Sequence, residues 1–324
     1  MTKRRALRIL LADDDPVSGR ILERHVRSWG FEPVSAADGN TAWERLKEKE
    51  TRLAVLDWEM PDVDGPELCR RLRAAEKAAY TYIILLTSRC DSEDIIAGLN
   101  AGADDYMTKP LKIQELKARL ETGRRIVDLE DRLLESQKKL YELATKDSLT
   151  RLWNRRTIIQ FLEDELAHGR RNGTATGLIM IDVDHFKAVN DNYGHQAGDK
   201  VLAVLGERLA RSVRPYDRVG RYGGDEILIV LPDCVPEVLA PVAERLRRTC
   251  LGAPVRFRGR DLRLTLSLGG ATSADTARMT ADRLIRAGDR ALYQAKHRGR
   301  NCAVCAEPAG RASKKGGPHG RRKK

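Results

Sequence analysis

Two groups of residues in this chain have the types and spacing to handle phosphate. The first is Arg221-Tyr222-Gly223-Gly224-Asp225-Glu226-Ile227, which runs on into Leu228-Ile229-Val230-Leu231. Adjacent glycines between a polar run and a β-branched run predict a tight hairpin, because glycine supplies the positive φ that primed turns need. Asp225 and Glu226 then sit just past the turn, where side chains on an exposed tip can meet a ligand. A bare backbone lets phosphate approach closely, and carboxylates offer hard oxygens to Mg²⁺. An ordinary hairpin with a charged tip has the same local pattern. A second acidic site separates the two readings. Leu178-Ile179-Met180-Ile181-Asp182-Val183-Asp184-His185-Phe186-Lys187 is an apolar strand ending in alternating acids, and alternation puts Asp182 and Asp184 on one face. A strand-end Asp beside a hairpin Asp on a neighbouring strand is a way to hold Mg²⁺ for phosphoryl transfer.

The second group lies near the start. Asp13 and Asp14 follow the apolar run Leu7 to Ala12, Asp57 follows Leu53 to Leu56, and Thr87 follows Ile83 to Leu86, with Lys109-Pro110 downstream. Three clustered carboxylates repel one another and need a cation, which favours Mg²⁺ over a closed structural site. A carboxylate can act as nucleophile toward a phosphoryl group once a metal and a lysine neutralise the charge. Lys109-Pro110 is an X-Pro bond, of the kind that can turn cis and aim the lysine.

The elements that must position these groups differ between the halves. In the first, strand runs alternate with amphipathic stretches such as Val17 to Trp29 and Thr41 to Lys49, which predicts a five-stranded parallel doubly wound α/β sheet with functional residues at the carboxyl ends of its strands. Thr122 to Lys146 contains no proline and is rich in Leu, Glu, Lys and Arg. Ile126, Leu129, Leu133, Ser136, Leu140 and Leu143 occupy a and d of a short heptad pattern, which suits a stalk that pairs with its twin in a homodimer. A single helix laying the same stripe on its own domain is the plainer alternative. The expected divisions are 1–121, a stalk at 122–145, a second domain at 146–305 and a tail at 306–324.

Length fits two globular domains, with 41% apolar and 33% charged residues. The lack of a bilayer-length apolar run and the scatter of Cys69, Cys90, Cys234 and Cys250 suggest a cytoplasmic protein with reduced thiols. Cys302-Ala303-Val304-Cys305 lacks the second pair of a zinc site and falls where a last strand is expected. Half of the net charge of +12 lies in Ala306 to Lys324, with seven Lys/Arg against one Glu. That composition predicts a disordered tail, solvated or in weak contact with nucleic acid or an anionic membrane surface.

Leu7 to about Leu120, with Asp57-Trp58-Glu59-Met60-Pro61-Asp62-Val63-Asp64-Gly65 and Lys109-Pro110, resembles the receiver domains of response regulators. The resemblance implies Asp57 as phosphoacceptor, charged by a cognate histidine kinase. It implies Asp13, Asp14, Asp57 and the Glu59 carbonyl as Mg²⁺ ligands, Thr87 and Lys109 as grips on the phosphoryl oxygens, and Tyr106 as the switch aromatic. A receiver that has lost phosphorylation would lack one of these residues, and none is missing.

Thr145 to Cys305 resembles the GGDEF domains, diguanylate cyclases that condense two GTP into cyclic di-GMP. The matching residues run from Asp147-Ser148-Leu149-Thr150-Arg151-Leu152-Trp153-Asn154-Arg155-Arg156 through the strand and hairpin above to Ala291-Leu292-Tyr293-Gln294-Ala295-Lys296 and Gly299-Arg300-Asn301. The implied fold is α+β, of the palm or nucleotidyl-cyclase type with a mostly antiparallel sheet. Implied metal ligands for Mg²⁺ (or Mn²⁺) are Asp182, the Val183 carbonyl and Asp225, with Asp225 and Glu226 catalytic. Asn190 and Asp199 match the guanine-reading pair, and His195 lies between them. Backbone groups of His185, Phe186 and Lys187 would cradle the terminal phosphates, and Lys296 and Arg300, four apart on a helix, would neutralise them. Arg214 and Asp217 match an inhibitory site for the cyclic di-GMP product. Two residues depart from the family pattern: Ile227 stands where Phe is usual, and Arg151 where Gly is usual. A noncatalytic cyclic di-GMP effector is the alternative from another class, although such a binder has no need of the GTP-binding residues.

Overall fold

A computed structural model describes residues 6–75, 79–88, 92–274 and 279–306. The tail expected from 306 onward therefore lies, after Ala306 itself, outside the described residues, as does Cys90. The chain divides into two compact units, Met1–Lys138 and Lys139–Lys324.

The first unit alternates β1 (Leu7–Ala12), α1 (Pro16–Ser28), β2 (Phe31–Ala36), α2 (Gly39–Lys47), β3 (Thr51–Asp57), α3 (Gly65–Ala74), β4 (Tyr82–Thr87), α4 (Ser92–Asn100) and β5 (Asp105–Thr108). Its five strands lie in the order β2-β1-β3-β4-β5, all parallel. The central strands β1, β3 and β4 are buried on both faces and so read as near-continuous apolar runs. Leu10, Leu56, Ile83 and Leu85 pack on one face, while Ile9, Leu11, Leu53, Val55, Ile84 and Leu86 pack on the other. Acidic residues start the helices: Asp15, Asp38 and Asp64 accept first-turn N–H groups of α1, α2 and α3.

Helix α5 (Ile113–Thr145) opens on this unit, with Leu116, Leu120 and Val127 in its core. Arg124 lies 3.9 Å over the Phe31 ring, and Arg52 pairs with Asp131 at 2.7 Å. The heptad stripe is solvent-facing, from Ile126 at 37% exposed to Leu143 at 74%, and Ser136 is exposed as well.

The second unit contains α6 (Arg155–Asn172), β6 (Gly177–Val183), α7 (Phe186–Tyr193), α8 (His195–Ser212), β7 (Arg218–Gly223), β8 (Glu226–Leu231), α9 (Pro236–Leu251), a small hairpin of β9 (Val255–Phe257) and β10 (Arg260–Leu262), β11 (Leu266–Thr272), α10 (Ala281–His297) and β12 (Ala303–Cys305). The main sheet runs β12-β11-β6-β8-β7, antiparallel except where β12 joins β11. Period-2 alternation sorts its two faces. Ile179, Ile181, Ile227 and Ile229 pack with α8 and α9, and Leu178, Met180, Leu228 and Val230 pack with α6 and α10. Ile227 is fully buried in the first of these layers, an aliphatic side chain filling a core position where an aromatic was expected. Among the described residues no helix is long and apolar enough to cross a membrane.

Helix α10 approaches the sheet closely because glycines face each other there. A Cβ on Gly269 of β11 would lie 2.2 Å from Leu292 N and 2.3 Å from Gly288 O. Backbone cannot yield as a flexible side chain can. Gly269→Ala should therefore destabilise the second unit by on the order of 3 kcal/mol, read as a lower urea midpoint. An unchanged midpoint would mean that α10 does not lean on β11 at this spacing.

Candidate active site and phosphoacceptor cluster

The alternation that sorts the core also builds the site. Asp182 continues the Leu178, Met180 series and Glu226 begins the Leu228, Val230 series, so both carboxylates face α10. The antiparallel register places them directly opposite each other. Like charges so paired repel, and something cationic must lie between or beside them. Lys296, from the last turn of α10, answers part of this need with Nζ 2.7 Å from Asp182 Oδ2. Burial pushes the carboxyls of both Asp182 and Glu226 up; Lys296 offsets part of the rise at Asp182, and Asp182 and Asp289 add to it at Glu226. Asp289, also on α10 and raised by burial, was not foreseen from the sequence. Its spacing of seven from Lys296, two helical turns, was the available signal.

The hairpin is tighter than expected. Gly223 still pairs with Glu226, so the turn consists of Gly224 and Asp225, and Asp225 forms the tip rather than following it. Only Gly224 takes positive φ, at 37°. A Cβ on Gly223 would meet nothing nearer than Glu226 Oε2 at 3.8 Å, so the space above this glycine is open.

Asp184 does not join the acidic face. It lies beyond the end of β6, buried, and accepts hydrogen bonds from Thr265 Oγ1 at 2.7 Å, Ser267 Oγ at 2.6 Å and Asn301 N at 3.0 Å. These bonds tie down the turn after α10. Arg300 is in that turn, not on a helical face with Lys296. The helix stops at His297, and Gly299, Arg300 and Asn301 take φ of 102°, 63° and 50°, so the spacing of four no longer implies a shared face.

His185 is left-handed (φ 57°) and precedes α7, which has no side-chain cap, so first-turn N–H groups around Phe186 and Lys187 are available to an anion. Asn190 sits on α7 against α8, its Oδ1 buried without a hydrogen-bond partner. Gly198 makes room for it, since a Cβ there would come within 2.0 Å of Asn190 Oδ1. His195 and Asp199 are exposed on the first turns of α8. At the far end of α8, Asp217 is buried and accepts from Arg214 N at 2.8 Å, closing a turn that leaves the Arg214 side chain exposed. A small cavity joins Arg214 and Asp217 to Asp233 and to Arg245 of α9, two further charged residues not singled out from the sequence.

In the first unit, Asp13, Asp57 and Thr87 end or follow β1, β3 and β4, and Lys109 follows β5, all at the carboxyl edge of the sheet. Ligand oxygens of Asp13, Asp14 and Asp57 lie within 4.8 Å of one another. Lys109 Nζ is 2.5 Å from Asp57 Oδ2 and 3.5 Å from Asp13 Oδ2. The Lys109-Pro110 bond is cis. Burial pushes the Asp57 carboxyl up, with Lys109 opposing it and Asp13 reinforcing it. Asp13 Oδ2 is buried without a hydrogen-bond partner, so the cluster fits a hard divalent cation on geometry and donor type alike. Glu59 is exposed just beyond β3, and Tyr106 of β5 is half-buried against the layer containing Trp58 and Met60.

The model of the response regulator receiver domain matches residues 9–121, and that of the diguanylate cyclase GGDEF domain matches 144–302. Response regulator PleD of Caulobacter vibrioides is 31% identical over 301 residues, 92% of this chain and 65% of PleD. Diguanylate cyclase DosC of Escherichia coli is 40% identical over 156 residues, 48% of this chain and 34% of DosC. The coiled coil and GGDEF domain of DgcB from Caulobacter crescentus, solved with c-di-GMP, is 30% identical with a TM-score of 0.52, covering 59% of this chain and 99% of that one. The chain thus spans just under two thirds of the length of PleD.

Gly198→Ala tests how Asn190 is seated. The added methyl should force the carboxamide out at a cost of about 1 kcal/mol. The Asn190 side-chain amide signals of isotope-labelled protein should move while the domain stays folded. Unmoved signals would show that Asn190 is not held against Gly198.

Proposed function

We propose, on the premise that this chain belongs to the response regulators joining a receiver domain to a GGDEF domain, that it condenses two GTP into cyclic di-GMP under phosphorylation control. The observation that carries this reading is the pairing of buried Asp182 with half-buried Glu226, opposed across β6 and β8 beside Lys296, with Asp225 on the turn next to them. A pair of opposed carboxylates is costly to a fold and gives nothing to a pure binder of product.

Each condensation joins a 3′-oxygen to the α-phosphorus of the other nucleotide, expels pyrophosphate and delivers the hydroxyl proton to a carboxylate, Asp225 or Glu226. Asp182, the Val183 carbonyl and Asp225 would hold Mg²⁺ or Mn²⁺, which supplies charge neutralisation at the phosphate when bound. Asn190 and Asp199 read the guanine edge, with His195 beside them. The N–H groups around His185, Phe186 and Lys187 hold the terminal phosphates, with Lys296 and Arg300 as counter-charges. Arg214, Asp217 and Arg245 form the product site that limits turnover. In the receiver, a histidine kinase phosphorylates Asp57; Asp13, Asp14, Asp57 and the Glu59 carbonyl would hold Mg²⁺, which would offset the charge of the incoming phosphoryl group. Thr87 and Lys109 grip the phosphoryl group and Tyr106 repacks. Two nucleotides on two chains must face each other, so a homodimer is required, and the uncovered stripe of α5 supports pairing there. GTP as substrate places the reaction in the cytoplasm.

Purified full-length chain with GTP and Mg²⁺ should yield cyclic di-GMP by mass, at a rate that changes when the phosphoryl mimic beryllofluoride is added. Asp225→Ala should remove turnover by at least about a hundredfold with little change in melting temperature. No product from wild type, or equal product from the variant, would end the cyclase reading. Arg214→Ala should preserve initial turnover but remove the slowing caused by accumulated product; identical progress curves would sink the product-site assignment.

A further inference from the structure

Arg221 of β7 has more to do than its place in the hairpin requires. Its Nε and one terminal nitrogen donate to the Gly224 carbonyl at 3.0 Å and 2.8 Å. Its other terminal nitrogen reaches both oxygens of Asp147 at 3.2 Å. Both side chains are about four-fifths buried, at 21% and 20% exposed, so the ion pair is partly shielded from solvent.

The Gly224 carbonyl belongs to the peptide that leads into Asp225. Because that peptide is planar, fixing its oxygen with two donors also fixes the Asp225 nitrogen and Cα. Gly224 is a residue with freedom to swing, and Arg221 removes that freedom. Asp147 in turn is held from the other side. It accepts from Thr150 N and Thr150 Oγ1, both at 2.8 Å. Although burial alone would raise its carboxyl, these bonds and Arg221 hold it below the usual carboxylate range, so it is charged at neutral pH.

Asp147 begins the turn that receives the end of α5. Asn154 N donates to Thr145 O at 2.9 Å, and Asn154 Nδ2 donates to Ala144 O at 2.8 Å. Trp153 N donates to Val219 O, and Arg221 N to Trp153 O, so the same turn is stitched onto β7. The last turn of α5, the segment 146–154 and the Gly224-Asp225 tip are therefore linked through one arginine.

We propose that Arg221 and Asp147 are positioning residues for the reaction: Arg221 orients the Gly224-Asp225 peptide, and Asp147 holds Arg221 to the turn at the end of α5. The proposal rests on the cyclase reading for its catalytic arm, whereas its structural arm needs no activity. Full-length Asp147→Asn, which keeps shape and loses charge, and Arg221→Lys, which keeps charge and loses the fork, should each lower kcat by about tenfold to a hundredfold with KM for GTP within about threefold. In both variants, amide exchange at Gly224, Asp225 and Glu226 should accelerate, with the melting temperature close to wild type. Wild-type turnover within twofold in both variants, a matching rise in KM, or unchanged exchange at the tip would each overturn it. If Arg221→Lys fails to fold, Asp147→Asn decides alone. A wild type that makes no cyclic di-GMP would defeat the cyclase reading and leave the exchange result as the test of the anchor.

Discussion

The second unit is organised around an unfavourable contact, Asp182 facing Glu226 across two antiparallel strands on the side that meets α10. Burial raises both carboxyls, and the charge of Asp182 adds to the rise at Glu226. The surrounding structure manages that cost without removing it. Gly269 and Gly288 let α10 settle against the sheet, which brings Lys296 to Asp182 at 2.7 Å. The ammonium neutralises one charge and leaves demand for another cation. An acidic pair that needs a visiting ion is suited to a substrate that arrives as a metal–phosphate complex.

The receiver meets the same problem with different architecture. There the parallel sheet delivers Asp13, Asp57 and Thr87 to one edge, and Lys109 arrives from β5 to pair with Asp57. A lysine on each carboxylate cluster lowers local repulsion without filling the coordination sphere. Both units thus carry partly compensated negative charge, which a bound divalent cation would complete.

Much of this was legible in the sequence because strand alternation and strand-end chemistry are local. The strand-end positions of Asp13, Asp57 and Thr87 in the receiver, the Gly-Gly hairpin and the strand ending in Asp182 needed only a few neighbouring residues each. Failures came where partners are distant along the chain. Alternation put Asp184 on one face with Asp182, but it lies past the end of the strand and is taken by Thr265, Ser267 and Asn301, which no spacing rule connects to it. Arg300 looked helical until the left-handed run from Gly299 turned the chain. Glu226 could be named as an acid but not placed opposite Asp182, because register is a property of two strands. Arg151 was recognised as an odd occupant of its turn, and the backbone there is indeed left-handed at φ 60°, a cost on the order of 1 kcal/mol that the arginine carries, with an ion pair to Glu142 at 3.0 Å.

The two glycines of the hairpin are constrained by different things. Gly224 is needed by the backbone, which is left-handed there; Gly223 does not take positive φ and has open space above it. A library of variants sorted only for folding would therefore hold position 224 and let position 223 drift. Under the proposed cyclase activity, the same library sorted for turnover would hold both. The difference between those two surviving populations would then record the footprint of a nucleotide on a surface where the protein alone asks for nothing.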